Sequence, residues 1–203
     1  MSDLISNTVT RMNDFVFFFS EGWHHIISRD ALDHVLFIAA LAVVYVASEW
    51  RKILILVTAF TIGHALTLVL SVLDILRFRD AWVEFLIPCT IVITAVVNLL
   101  QRDFSRNSLR VNYFLAFFFG LIHGMGYANA IRFSLAKGQS LAAGLLPFNL
   151  GLEIGQIFVV LLILLMGYLV TNIPGVTRVR WVKAVSLIVL ALALGMVWER
   201  IPF

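Results

Sequence analysis

Charge is what this chain has least of. Only 13% of its 203 residues are Asp, Glu, Lys or Arg, while 61% are hydrophobic and the mean hydropathy is +0.97. A soluble domain carries about 25% charged and roughly 45–50% apolar residues, so a soluble globule is excluded. At about 20 apolar residues per bilayer-spanning helix, the length holds roughly six spans with short loops and leaves no room for a separate soluble domain. Cysteine is almost missing as well. Cys89 stands alone inside an apolar run, so no intramolecular disulfide can form and the redox compartment cannot be read. No nucleotide-binding motif is present, which argues against direct ATP drive, and neither His-Glu-x-x-His nor Cys-x-x-Cys occurs. The longest N-terminal apolar run, 15–19, lies between Asp14 and Glu21 and is too short for a cleavable signal peptide. The net charge of +3 and pI near 9.4 follow from Lys and Arg flanking apolar segments, so no nucleic-acid partner is expected.

What is present is a succession of apolar segments. Residues 53–73, 82–100, 111–135, 145–170 and 181–198 are each long enough to span a bilayer. A less regular first span covers about 32–47 and reaches full length only if its helix begins near Asp30, in polar sequence. The reading is an all-α integral membrane protein, a bundle of about six transmembrane helices. Residues 1–29, with Phe15, Phe17, Phe18, Phe19 and Trp23, suit an N-terminal interfacial segment, or a seventh span, and 30–203 form a single transmembrane domain. Connections at 48–52, 74–81, 101–110, 136–144 and 171–180 are short and polar. Arg51, Lys52, Arg102, Arg106, Arg110, Arg178, Arg180 and Lys183 fall on one face; Arg11, Arg29, Arg77, Arg79, Arg132, Lys137 and Arg200 are spread along the other. The positive-inside rule then favours termini outside, for a multi-pass protein of the inner (cytoplasmic) membrane.

Ionisable groups interrupt the apolar runs. All five histidines lie in or beside spans: His24 and His25 before the first, His34 at its start, His64 in the second and His123 in the fourth. Asp33 adjoins His34, and Glu153 lies in the fifth span. Such groups cost several kcal/mol when they face lipid, so they are expected to face the bundle interior and to pair with one another. At about 1.5 Å of rise per residue, His64 and His123 lie roughly 14–18 Å from the outer ends of their helices and Glu153 about 12 Å. Convergence in the outer half of the bundle is therefore expected. Asn149, Glu153 and Gln156 share a helix face, as do Thr90, Thr94 and Asn98, while Gly120 and Gly124 flank His123 and Gly151 and Gly155 flank Glu153.

Imidazole and carboxylate together make a ligand set for nickel, cobalt, zinc or iron, and neutral imidazole adds no negative charge to an apolar bundle. The groups that could supply that set are Asp33, His34, His64, His123 and Glu153. A single intramembrane histidine is also a common helix-to-helix hydrogen-bond partner, and a purely structural polar network is the bland alternative. Glu84, Asp74, Asp80 and Glu199 read as solvated span ends, and Tyr113, Phe114, Phe117, Phe118 and Phe119 as lipid contact or packing.

The series His25-Ile26, Asp33-His34-Val35-Leu36-Phe37, Thr58-Ala59-Phe60-Thr61-Ile62-Gly63-His64-Ala65-Leu66-Thr67-Leu68, Phe119-Gly120-Leu121-Ile122-His123-Gly124-Met125-Gly126-Tyr127-Ala128 and Phe148-Asn149-Leu150-Gly151-Leu152-Glu153-Ile154-Gly155-Gln156 resembles the HupE/UreJ family of bacterial membrane proteins. It runs in order over residues 22–156. The resemblance implies a six- or seven-helix membrane protein associated with uptake of nickel, and in some members cobalt, with Asp33, His34, His64, His123 and Glu153 on the family's polar positions as metal ligands and His25, Asn149 and Gln156 as supporting matches. The expected function is a secondary nickel or cobalt permease, whose partners are membrane lipid and a divalent transition metal ion (Ni, Co or Zn). A membrane-embedded metalloenzyme, with a His/carboxylate site activating water, is the alternative.

Overall fold

A computed structural model describes residues 2–28, 31–101, 110–134 and 141–202, with side chains left aside at 2–11, 110–111 and 129–134. Arg29, Asp30, Arg102, Arg106 and Lys137 lie outside the described residues, as does most of the connections at 101–110 and 136–144; the side chains of Arg11, Arg110 and Arg132 are likewise undescribed. The described chain is all helical: α1 (Ser2–Ile27), α2 (Leu32–Ala42), a 3-10 turn (Ala47–Glu49), α3 (Trp50–Val72), α4 (Asp80–Leu100), α5 (Arg110–Ser134), α6 (Leu141–Thr171) and α7 (Arg178–Glu199). Among the described residues four stretches, Ala47–Val72, Asp80–Leu100, Leu141–Thr171 and Arg178–Glu199, are long and apolar enough to cross a membrane, as in a multi-pass membrane protein. Their outward faces carry a belt of exposed apolar side chains, such as Leu161, Leu165 and Leu169 on α6 and Leu187, Ile188 and Leu192 on α7. Water would penalise that surface and hydrocarbon would not.

One element differs from the sequence reading, and another is given its form. Residues 2–27, read as an interfacial segment or a seventh span, form one continuous helix, and α1 packs closely on α6. A methyl group at Gly22 would meet the Phe148 carbonyl, and one at Gly151 would meet that of Phe19, so the two backbones touch where both lack a Cβ. The first expected span is shorter than foreseen: α2 ends at Ala42, and Val43 to Val46 continue as a turn and extended chain. Val43, Val44 and Tyr45 are nevertheless buried. Non-helical backbone at such a position needs partners for its carbonyls. Asn98 of α4 donates its Nδ2–H to the Ala40 carbonyl at 2.7 Å, and the Arg178 guanidinium donates to the Val44 carbonyl. Arg178 also lies 3.5 Å from Glu49, which in turn pairs with Lys52.

The central element is α2, whose Leu36 to Ala42 are buried against α4, α6 and α7. The closest helix pair is α3 with α5, and sequence explains it. Gly63 faces the Phe117 carbonyl, Gly120 that of Phe60, and Gly124 that of His64, all too close for a Cβ. The Thr67 hydroxyl sits 2.8 Å from the Gly63 carbonyl on its own helix and 2.7 Å from the Leu121 carbonyl across the seam. Pro88 in α4 has no N–H to give to the Glu84 carbonyl, and a proline inside such a helix is tolerated when neighbours restore the lost partner.

Candidate metal centre

Four helices each deliver one imidazole to the same region. His25 comes from the last turn of α1, His34 from the first turn of α2, His64 from α3 and His123 from α5. Ring centroids of His25 and His34 are 4.5 Å apart, those of His25 and His64 5.7 Å, and those of His34 and His123 4.8 Å. One nitrogen from each of His25, His34 and His64 lies within 4.8 Å of the other two, a spacing that an ion between them would bridge. His64 and His123 are almost wholly buried, at 0% and 1% exposure.

Most of these nitrogens lack protein partners. His25 Nε2, His34 Nε2 and His123 Nδ1 are buried without a hydrogen bond, and His64, wholly buried, has the Asn149 side chain of α6 beside it. Buried polar atoms are nearly always bonded, so a convergent set of unbonded imidazole nitrogens points to a ligand. The tautomers agree. His34 donates its Nδ1–H to Asp33 Oδ1 at 2.9 Å, because a carboxylate can only accept, and that leaves the Nε2 lone pair free. At His123, the Thr90 hydroxyl donates its one proton to the Ile87 carbonyl at 2.6 Å, so at 3.3 Å it accepts from His123 Nε2–H. The free lone pair of His123 is then on Nδ1. Each proton is held away from the unpartnered atom.

Aromatic rings wall the cluster. Phe37 and Phe60 lie 5.2 Å and 5.3 Å from His123, Phe148 lies 6.1 Å from His64, and Tyr127 stacks on Phe148 at 4.9 Å while sitting 4.2 Å from His25. The Tyr127 hydroxyl donates to Glu21 Oε2 at 3.1 Å. On the other side a cavity of about 540 Å³ reaches the cluster, lined by Glu21, His24, His25, Asp33, His34, Glu84, His123, Tyr127 and Arg200 among others. His24 and Glu84 are exposed, so polar groups run from the surface to the buried imidazoles.

The candidates named from the sequence divide between two places. His34, His64 and His123 gather with His25, and Asp33 touches the group through His34. Glu153 is half-buried and accepts from the Thr58 hydroxyl at 2.6 Å, and Gln156 accepts from Thr61 at 2.9 Å, which makes a separate polar seam between α6 and α3. Asn149 donates to the Leu145 carbonyl of its own helix at 2.7 Å, and its side chain lies against His64, so of the α6 candidates it is the one that reaches the imidazoles. The sequence reading gave Arg200 no part in the site. Its Nη1 lies 3.2 Å from Asp33 Oδ2, across 167 residues, and no local pattern marks it.

With this geometry in view, the comparisons are specific. The family described as HupE / UreJ protein matches residues 2–200, and the chain belongs to that family. No curated protein and no solved structure matches the chain. Membership points to a nickel- or cobalt-related membrane protein, and the histidine cluster is compatible with that.

Proposed function

We propose that this member of the HupE/UreJ family is a secondary permease for nickel or cobalt, and that the imidazole cluster is where the ion sheds its water in transit. The observation that carries the reading is the set of His25, His34 and His64 nitrogens within 4.8 Å of one another, with His25 Nε2 and His34 Nε2 buried and unbonded. Imidazole is a good ligand for these borderline metals, and three neutral rings bind a dication without making a trap of fixed negative charge. The cargo enters through the cavity beside Glu21 and Glu84, whose carboxylates attract a hydrated cation. His123, 4.8 Å from His34, offers the next lone pair. In this reading the bundle has six or seven spans in the inner membrane with its termini outside.

Nickel or cobalt uptake by cells expressing the protein tests the reading. His64→Ala and His123→Ala should abolish uptake while the protein still inserts, and unchanged uptake in both would sink it. In sealed vesicles the wild type should move metal across the bilayer. A metal that stays on the protein throughout would instead favour the metalloenzyme alternative.

A further inference from the structure

The cluster's choice of ion has its own structural basis, which rests on the metal-binding reading above. Asp33 is the carboxylate that touches the imidazoles, and both its oxygens are engaged. Oδ1 accepts from the His34 backbone N–H at 2.8 Å and from His34 Nδ1–H at 2.9 Å, while Oδ2 lies 3.2 Å from Arg200 Nη1. The carboxylate is 9% exposed and the guanidinium side chain 29%. Arg200 follows directly on α7, where its backbone N–H reaches the Met196 and Val197 carbonyls at 3.1 Å and 3.3 Å. It lines the same cavity as His25, His34 and His123.

We propose that Arg200 is a selectivity-determining residue: by holding Asp33 Oδ2 it keeps the site an imidazole site and shuts out divalent cations that require oxygen. Magnesium, calcium and manganese are hard ions that take carboxylate, carbonyl and water oxygens, whereas nickel, cobalt and zinc accept imidazole nitrogen. A free Oδ2 beside His34 would supply the anionic oxygen the hard ions need. Paired with a guanidinium, Asp33 brings no net charge, and the lone pair of Oδ2 that faces Arg200 is taken. Arginine suits the role because it stays protonated throughout the physiological range and cannot itself become a ligand. Attraction of cations to the cavity does not depend on Asp33, since Glu21 and Glu84 also line it. Recruitment and selection thus fall to different carboxylates.

Purified protein titrated with Co²⁺, followed by its visible absorption, and with Mn²⁺, followed by electron paramagnetic resonance, tests the proposal. Wild-type protein should bind Co²⁺ and keep it against excess Mn²⁺. Arg200→Gln should bind Mn²⁺ about tenfold more tightly or better, the scale of an outer-shell change at a metal site. Adding Asp33→Asn to Arg200→Gln removes the anionic oxygen and should restore exclusion of Mn²⁺, and Arg200→Lys, which keeps a cation near Asp33, should behave as wild type. Displacement of Co²⁺ from the wild type by equimolar Mn²⁺ overturns the proposal without any variant, and so does an Arg200→Gln protein that excludes Mn²⁺ as the wild type does. Failure of the wild type to bind Co²⁺ at all overturns the metal-site reading itself.

Discussion

Asp33 holds its neighbour His34 at two points, accepting from the backbone N–H at 2.8 Å and from the ring Nδ1–H at 2.9 Å with the same oxygen. The ring therefore cannot turn without breaking a bond in a buried setting. Asp33→Ala should weaken Co²⁺ binding by about 10–100-fold, the range for loss of an outer-shell partner. Asp33→Asn retains an acceptor for the ring and should lose less. Titration of purified protein separates the two, and equal losses would show that charge, not orientation, is what Asp33 supplies.

Thr90 has the same relation to His123 from another helix. Because its proton goes to the Ile87 carbonyl, it can only accept from the ring, and Thr90→Val removes that acceptor at nearly constant shape. Unpairing a buried group costs about 1–3 kcal/mol. Uptake by Thr90→Val should need a higher metal concentration for half-maximal rate, with protein level unchanged.

Glu153 provides the contrast. Its carboxylate accepts from Thr58, outside the group of imidazole nitrogens that face one another. Glu153→Gln should leave Co²⁺ affinity of the purified protein as in wild type, while His64→Ala removes binding. A loss in Glu153→Gln as large as in His64→Ala would place the carboxylate among the ligands.

The glycine seam between α3 and α5 predicts a stability effect. Gly63→Ala or Gly120→Ala puts a methyl group against a backbone carbonyl, and such overpacking costs about 1–3 kcal/mol or more when backbone cannot yield. Gly195 has open space where its Cβ would be, so Gly195→Ala should not lower the thermal midpoint in detergent. The pair forms a matched test, read by thermal unfolding.

Asn98 is buried, and its amide reaches the Ala40 carbonyl where α2 runs out. Asn98→Leu leaves that carbonyl unpaired at a cost of about 1–3 kcal/mol. A lowered unfolding midpoint with unchanged Co²⁺ affinity is the expected result.

How far the sequence could be read depended on the range of the interactions. Helices α3, α4, α6 and α7 lie within a few residues of the apolar segments, because hydrophobic run length is a local property. The end of α2 was not legible: the groups that satisfy Ala40 and Val44 come from residues 58 and 134 positions away. His34, His64 and His123 stood out as ionisable groups in apolar sequence. His25 was set apart from His24 only through the family resemblance, and the packing of α1 on α6 and α2 turns the one inward and leaves the other exposed. Glu153 fitted the depth estimate, but depth along a helix axis says nothing about which neighbour a side chain meets. Arg200, read as a helix-end charge, meets Asp33 only because α7 ends beside the start of α2.

The seam that joins α3 to α5 also works as a gauge. His64 and His123 hang from backbones that touch at Gly120 and Gly124, and the Thr67 hydroxyl ties the same seam to the Leu121 carbonyl. Thermal motion that loosens the outer helices would carry these two imidazoles together as one rigid jaw. His25 and His34 come from two other helices, so a change in the spacing of the four rings needs a movement of α1 or α2 and not of the seam.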